Sequence, residues 1–262
     1  MEQTDGESSL QQRWFADRYA ANARFVSDLA EPLIENLAPS RGDLILDLGC
    51  GDGALTKLVV DAGARVIGVD ASIDQVMACQ NRGIPSAVMD GHNLAFNEVF
   101  DAILTNAALH WMTSPDVVID GMWNALKSGG RVVGEMGGDG NISRITRALT
   151  EALTRRNLQD KIIFPWFFPD EADYRQRLET RGFVVDYMEL IPRPTPLPGA
   201  ITAWLDTFGE QFLFLVPELE RTAFKEEVAE DLEADLFDPH GRWMADYVRL
   251  RFTAIRPEEA CC

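Results

Sequence analysis

Leu44-Ile45-Leu46-Asp47-Leu48-Gly49-Cys50-Gly51-Asp52-Gly53-Ala54-Leu55-Thr56 runs through three local preferences in thirteen residues. A short apolar run closes on an acid and passes into glycines at alternate positions. It then continues into Ala54-Leu55-Thr56-Lys57-Leu58, which reads as a helix. Strand, glycine loop and helix form the opening unit of an open α/β sheet, where glycine permits the turn and lets backbone amides approach a ligand at the helix N-terminus.

Outward from this stretch, apolar runs alternate with helical stretches at the spacing of βαβ units. Strands are expected at 44–48, 65–69, 84–89, 100–104 and 130–136, and helices at 54–62, 73–81 and 115–127. The runs are nearly continuous, as in Arg65-Val66-Ile67-Gly68-Val69, which suits parallel strands covered on both faces. Helices at 142–156 and 170–180, a strand at 183–190 and a last strand at 247–255 complete the reading. The expected fold is an α/β, doubly wound, seven-stranded and mostly parallel sheet. Its C-terminal strand is antiparallel, and a helical insertion separates the last two strands.

Composition narrows the function classes. The chain has 262 residues, 46% of them apolar, so it can bury a full core. Its formal net charge of −18 repels a phosphate backbone, and its densest basic pair, Arg155-Arg156, stands alone, so nucleic acid is not an expected partner. No apolar run reaches the ~20 residues of a membrane span and no basic start precedes an apolar stretch, so a soluble cytoplasmic protein without a membrane partner is expected. Cys50, Cys79, Cys261 and Cys262 form neither a metal pattern nor a disulfide framework, and no metal is expected.

Ligand sites in such sheets lie beyond the C-terminal strand ends. Three successive ends carry acids: Asp47, Asp70 and Asp90. The run Gly49-Cys50-Gly51-Asp52-Gly53-Ala54 also satisfies the dinucleotide pattern G-x-G-x-x-G/A, so glycines alone leave NAD and other adenosine cofactors open. A pyrophosphate would meet Asp47 and Asp52, whereas S-adenosylmethionine has no phosphate and carries an ammonium and a sulfonium that carboxylates favour. Asp70 is placed to accept both hydroxyls of a ribose, although it could also cap the next helix, as Ser72 could. In Asp90-Gly91-His92-Asn93, the acid offers an acceptor for an exocyclic amine and Gly91 a close approach to an adenine edge; the pair is also an ordinary turn. The fourth strand ends in Asn106-Ala107-Ala108-Leu109-His110-Trp111. Asn106 reaches toward the cofactor's methionine end. His110 is read either as a general base or substrate-orienting group, or as a wall residue satisfied by a backbone carbonyl.

These runs, together with Gly68-Val69-Asp70, Phe100-Asp101 and Leu126-Lys127-Ser128-Gly129-Gly130-Arg131, resemble the successive motifs of class I S-adenosylmethionine-dependent methyltransferases. Around Asn106 to Trp111 the chain is most similar to the small-molecule branch containing trans-aconitate and malonyl-acyl-carrier-protein methyltransferases. The resemblance covers roughly residues 14 to 255. It implies S-adenosylmethionine as cofactor and S-adenosylhomocysteine as product. It puts Asp47, Gly49, Cys50 and Gly51 at the methionine end with Asn106, Asp70 and Ala71 at the ribose, and Asp90 and Gly91 at the adenine. It further implies methyl transfer to a small organic acceptor, a carboxylate being one candidate, with His110 as the candidate catalytic residue. A nucleotide-dependent oxidoreductase and a cofactor-binding protein without turnover are the rival readings.

The remaining segments are expected around that core. Residues 1–40 read as a helical lead-in with 1–9 disordered, from which Tyr19, Arg24 and Phe25 could reach over a cofactor. Residues 41–190 read as the cofactor-binding core, 191–240 as a helical, lid-like insertion opened by Pro192, Pro194, Pro196 and Pro198, and 241–262 as the last strand and tail. Phe164-Pro165-Trp166-Phe167-Phe168-Pro169 is read as a wall of the substrate pocket or as a packed helix crossing. Arg24 and Arg144 are eligible basic residues for an anionic acceptor.

Overall fold

The computed structural model describes residues 31–258. The expected lead-in with Tyr19, Arg24 and Phe25 and the expected disorder at 1–9 lie outside the described residues. Helix α1 (Glu31–Leu37) buries Leu33 and Leu37, one turn apart on one face. There follow β1 (Leu44–Leu48), α2 (Ala54–Asp61), β2 (Arg65–Asp70), α3 (Ile73–Asn81), β3 (Ser86–Val88), β4 (Phe100–Asn106), α4 (Pro115–Ala125) and β5 (Leu126–Gly137). Next come α5 (Ser143–Thr154), α6 (Glu171–Arg181) and β6 (Val184–Pro196). The short helices α7 (Ile201–Phe208) and α8 (Glu210–Leu213), the longer α9 (Arg221–Leu236) and β7 (Met244–Ile255) close the order.

The seven strands form one sheet in the order β3-β2-β1-β4-β5-β7-β6. The first five are parallel, and β7 runs antiparallel to both β5 and β6. This is the expected doubly wound sheet with its antiparallel last strand and helical insertion.

Side chains alternate across a strand, and β1 shows what that does here. Leu46 and Leu48 pack toward Val118, Ile119 and Met122 of α4 and Tyr174 and Leu178 of α6. Ile45 faces the other way, against Leu33 and Leu37 of α1 and Leu55 and Val59 of α2. Asp47 has the parity of Ile45, so its side chain points under α2 and not toward the strand end.

Two boundaries depart from expectation. The helix expected at 115–127 stops at Ala125, because Leu126 already pairs with Phe100 and starts β5. The strand expected to end at residue 190 continues to Pro196, through three of the prolines expected to open the insertion. Only β7 borders β6, and the amide of Leu190 points away from β7 to the Glu171 carboxylate at 2.7 Å. Residues 192, 194 and 196 share that parity, so their missing amide hydrogens are on the open edge and cost the ladder nothing.

The segment between β6 and β7 has its own core. Trp204, Leu205 and Phe212 join Phe224, Val228 and Leu232 of α9 and close on Ile145, Leu149 and Ala152 of α5. This helical layer stands beside the C-terminal ends of β4 and β5, the side on which the glycine loop also lies. No described helix is long and apolar enough to cross a membrane.

Candidate active site

The loop after β1 folds as its glycines allow. Gly49, Gly51 and Gly53 all have positive φ, at 78°, 53° and 78°. A Cβ on Gly49 would be 2.2 Å from the Cβ of Ala108, whereas one on Gly51 would meet nothing within 4 Å. The first glycine is therefore a packing necessity and the second faces open space. Gly49→Ala combines left-handed strain with a steric overlap, and is expected to destabilise the chain by about 2–3 kcal/mol, read as a lower midpoint in chemical unfolding.

That open space is a cavity of about 1040 Å³. The ends of β1, β2, β3 and β4 contribute Gly49, Gly51, Asp70, Ala71, Asp90, Gly91 and Asn106 to its lining. The opposite side is rich in apolar residues, Trp111, Phe164, Pro165, Phe212 and Leu215, with Lys161 and Gln211 beside them. Asp70 organises the polar half: its Oδ2 accepts from the Gly51 amide at 3.0 Å and its Oδ1 from the Ser72 amide at 2.9 Å. Burial pushes the Asp70 carboxyl up, against the pull of these two bonds. Ser72, not Asp70, caps α3, its hydroxyl accepting from the Gln75 amide. Asp90 is exposed and accepts from both the amide and the ring Nδ1 of His92, at 2.9 and 2.8 Å. Partial desolvation raises its carboxyl, but the His92 contacts outweigh it and hold the group below the usual carboxylate range.

Two expected cofactor-binding residues do not line this cavity. Asp47 is 2% exposed and accepts from the Thr56 hydroxyl at 2.6 Å, as its strand parity dictates. Cys50 turns inward onto Cys79 and Ile84. Burial drives the Asp47 carboxyl up to about 7, the Thr56 bond opposing and the nearby Asp70 adding to the rise. The group is neutral in both states below pH 4, and between pH 4 and 7 the unfolded chain ionises it before the folded chain does, so stability falls as pH rises. Asp47→Asn is expected to remove this slope. The stability difference between variant and parent should grow in the variant's favour from pH 4 to 7 and then level off, in urea titrations at stepped pH.

His110 is adjacent to the large cavity but does not line it. It opens onto a smaller cavity of about 40 Å³, with Ala107 and Trp111 shared between the two. The Gly137 amide donates to His110 Nδ1 at 3.2 Å, which fixes the ring hydrogen on Nε2. Burial and the Arg249 charge hold the imidazole well below its usual pKa, so it is neutral. The His110 carbonyl accepts from the Phe167 amide at 2.8 Å and threads the aromatic run past the site. That run is extended and splits by position. Phe164 and Pro165 line the large cavity, Trp166 and Phe168 the small one, and Phe167 turns to Tyr174, so the run divides between cavity lining and packing.

Asn141, Tyr247 and Arg249 complete the small cavity and were absent from the sequence reading. Arg144, which that reading nominated, is exposed on α5 and lines neither cavity. The available signal was in β7: Tyr247, Arg249 and Arg251 fall at alternate positions of the strand, which puts two guanidinium groups on one covered face. No cluster of metal-binding side chains occurs among the described residues.

Comparison with known proteins agrees with this geometry. Residues 46–134 match the family model described as a methyltransferase domain. An uncharacterized methyltransferase of Schizosaccharomyces pombe is 37% identical over 92% of this chain and 97% of its own length. A trans-aconitate 2-methyltransferase of Mycobacterium tuberculosis is 27% identical over 57% of this chain and 58% of its own. Among solved structures, phosphoethanolamine N-methyltransferase 2 of Haemonchus contortus, bound to phosphomonomethylethanolamine and S-adenosylhomocysteine, aligns with a TM-score of 0.58. It is 17% identical, with 93% of this chain and 57% of that one covered. The chain belongs to the methyltransferase family.

Proposed function

We propose that the chain is an S-adenosylmethionine-dependent methyltransferase acting on a small organic acceptor. The observation that carries this is the convergence of Gly51, Asp70, Asp90 and Asn106, from four strand ends, on one cavity whose far side is aromatic. The donor set fits an adenosine cofactor without phosphate. The Gly51 amide, which would cradle a pyrophosphate, is already given to the Asp70 carboxylate, and that carboxylate would oppose a phosphate at the same place. This favours the methyl donor over a dinucleotide.

When bound, the cofactor supplies an electrophilic methyl group on a sulfonium. The remaining work belongs to the chain. Asp70 keeps lone pairs beyond its two loop bonds and would accept from ribose hydroxyls, while Ala71 lies alongside. Asp90, held ionised and aimed by His92, would accept from the adenine amine, and buried Gly91 would let the ring approach. Gly49 and Gly51 would give the methionine end room, with Asn106 as a polar partner. Asp47 would act from beneath the loop by its field, and Cys50 by supporting the loop on Cys79. His110 would donate from Nε2 to orient the acceptor. The helical layer of α7 to α9 would serve as a lid that excludes water and fixes the approach of the acceptor to the methyl group.

The test is calorimetric titration with S-adenosylhomocysteine and with NADH. Saturable binding of the first and none of the second is expected. Absence of S-adenosylhomocysteine binding at millimolar ligand would overturn the proposal.

A further inference from the structure

The large cavity has two unlike halves. Its carboxylates, Asp70, Asp74 and Asp90, lie on the side of β2, α3 and β3 that the adenosine would occupy. Its volume of about 1040 Å³ is at the top of the about 300–1,000 Å³ that one drug-sized ligand fills, so an acceptor has room beside the cofactor.

The other half is a ladder of rings. Trp111 meets Trp166 edge-on with ring centres 5.6 Å apart, Trp166 stacks on Phe212 at 5.6 Å, and Phe212 meets Phe164 at 5.8 Å. Trp111, Phe212 and Phe164 face the large cavity, and Trp166 joins them from the small one. The inner rungs are already fixed: Phe212 is 1% exposed, and the Phe167 amide ties the run to the His110 carbonyl at 2.8 Å. A ligand that packs on rings held in this way loses little ordering entropy of the wall. The outer end is open, with Phe164 47% exposed and its neighbour Ile163 76%. Apolar side chains left in water at the lip of a ring-lined cavity are surface that a ligand can still bury.

Charge selects in the same direction. Among the described residues of the ladder side, the polar ones are Lys161 and Gln211, and there is no Asp or Glu. Lys161 is exposed, so water screens its charge and an anion gains little from it. The small cavity beyond Ala107 and Trp111, of about 40 Å³, has room for only about three water-sized atoms and cannot take the body of an acceptor.

We infer that the acceptor has an uncharged apolar body, an aromatic ring or alkyl chain, which lies along Phe164, Phe212 and Trp111 with its methyl-accepting atom at the Asn106 and Ala107 end of the cavity. The inference rests on reading the strand-end half as the cofactor site. It departs from the carboxylate acceptor that the sequence resemblance implies, for which this wall has no buried counter-charge.

The experiment titrates the full chain with N-phenyl-1-naphthylamine, an uncharged probe that fluoresces when it leaves water. The titration is run with and without saturating S-adenosylhomocysteine, whose own affinity is measured first by calorimetry. One saturable probe site is expected in both cases. Octanol is expected to displace the probe, and tricarballylate, a tricarboxylate, to leave it in place. Phe164→Ser is expected to weaken the probe about tenfold with S-adenosylhomocysteine affinity unchanged. Leu219 is 98% exposed and outside the cavity, and Leu219→Ser is expected to bind the probe like the parent chain. Displacement by tricarballylate as effective as that by octanol, or an equal loss in Leu219→Ser, would overturn the inference. A parallel loss of S-adenosylhomocysteine affinity in Phe164→Ser would overturn it too, by giving the ladder to the cofactor. Should Phe164→Ser not fold by circular dichroism, Ile163→Ser takes its place with the same expectations. If S-adenosylhomocysteine does not bind at all, the methyl-donor reading fails. If it binds and the probe does not, or if the two exclude each other, the acceptor inference alone fails.

Discussion

Asp70→Ala is expected to weaken S-adenosylhomocysteine binding about 100-fold. The carboxylate would make two charge-assisted bonds to the ribose, each worth about 1.5 kcal/mol or more, and every 1.4 kcal/mol is a factor of about ten in affinity. The same side chain also holds the glycine loop, through Gly51 at 3.0 Å and Ser72 at 2.9 Å, so a loss of affinity has two possible sources. Asp70→Asn separates them. An amide oriented to accept from Ser72 turns its NH2 toward the Gly51 amide, donor against donor, and disturbs the loop while keeping one acceptor for the ligand. If the ribose bonds dominate, Asn should retain more affinity than Ala. If loop order dominates, Asn should be as poor as Ala. Calorimetry on both variants distinguishes these cases, and unchanged affinity in Asp70→Ala would remove Asp70 from the site.

The loop around Asp70 was legible in the sequence because its information is local. Gly49, Gly51 and Gly53 each occupy the left-handed region, and only glycine does so at little cost, so the alternate spacing encodes the turn itself. The acids at positions 70 and 90 follow from ending parallel strands at one edge of a sheet. Asp47 is different. Its position near a strand end is local information, but the direction of its side chain depends on which face α2 covers, and that is decided by packing of Leu55 and Val59 against Ile45. The prolines at 192, 194 and 196 were read as helix-opening punctuation because the sequence does not state that β6 is an edge, where a missing donor is harmless. Arg249 is hidden for the same reason: its burial arises only when β7 inserts between β5 and β6, and its pairing with β5 spans more than a hundred residues. Chemistry carried by turns was visible in the sequence, and chemistry carried by strand insertion was not.

Glu135→Ala is expected to destabilise the chain by about 3–5 kcal/mol in urea unfolding. Glu135 on β5 is 2% exposed and receives two forks. Arg193 of β6 donates at 2.5 and 2.9 Å, and Arg251 of β7 donates from Nε at 2.8 Å with its terminal nitrogen at 2.7 Å. Arg251 is directly opposite Glu135 in the ladder, so one carboxylate ties three adjacent strands at the point where the antiparallel insertion begins. Removing it strands the buried Arg251 and the partly buried Arg193 without their counter-charge, a cost far above that of the exposed Arg155 pair with Glu227 and Asp231 on the helical layer, where about 0–1 kcal/mol is at stake. Replacing Glu135, Arg193 and Arg251 together by apolar residues of similar volume is expected to recover most of the loss, because no charge then remains buried. The triple variant also tests what the triad is for. Arg249 and Tyr247 precede Arg251 at alternate positions of β7, so the register fixed by Glu135 sets where they point. A stable triple variant whose His110 ring-nitrogen signals move would show that the triad positions the small cavity. One that keeps those signals would show that the ladder hydrogen bonds of β5 and β7 hold the register without it.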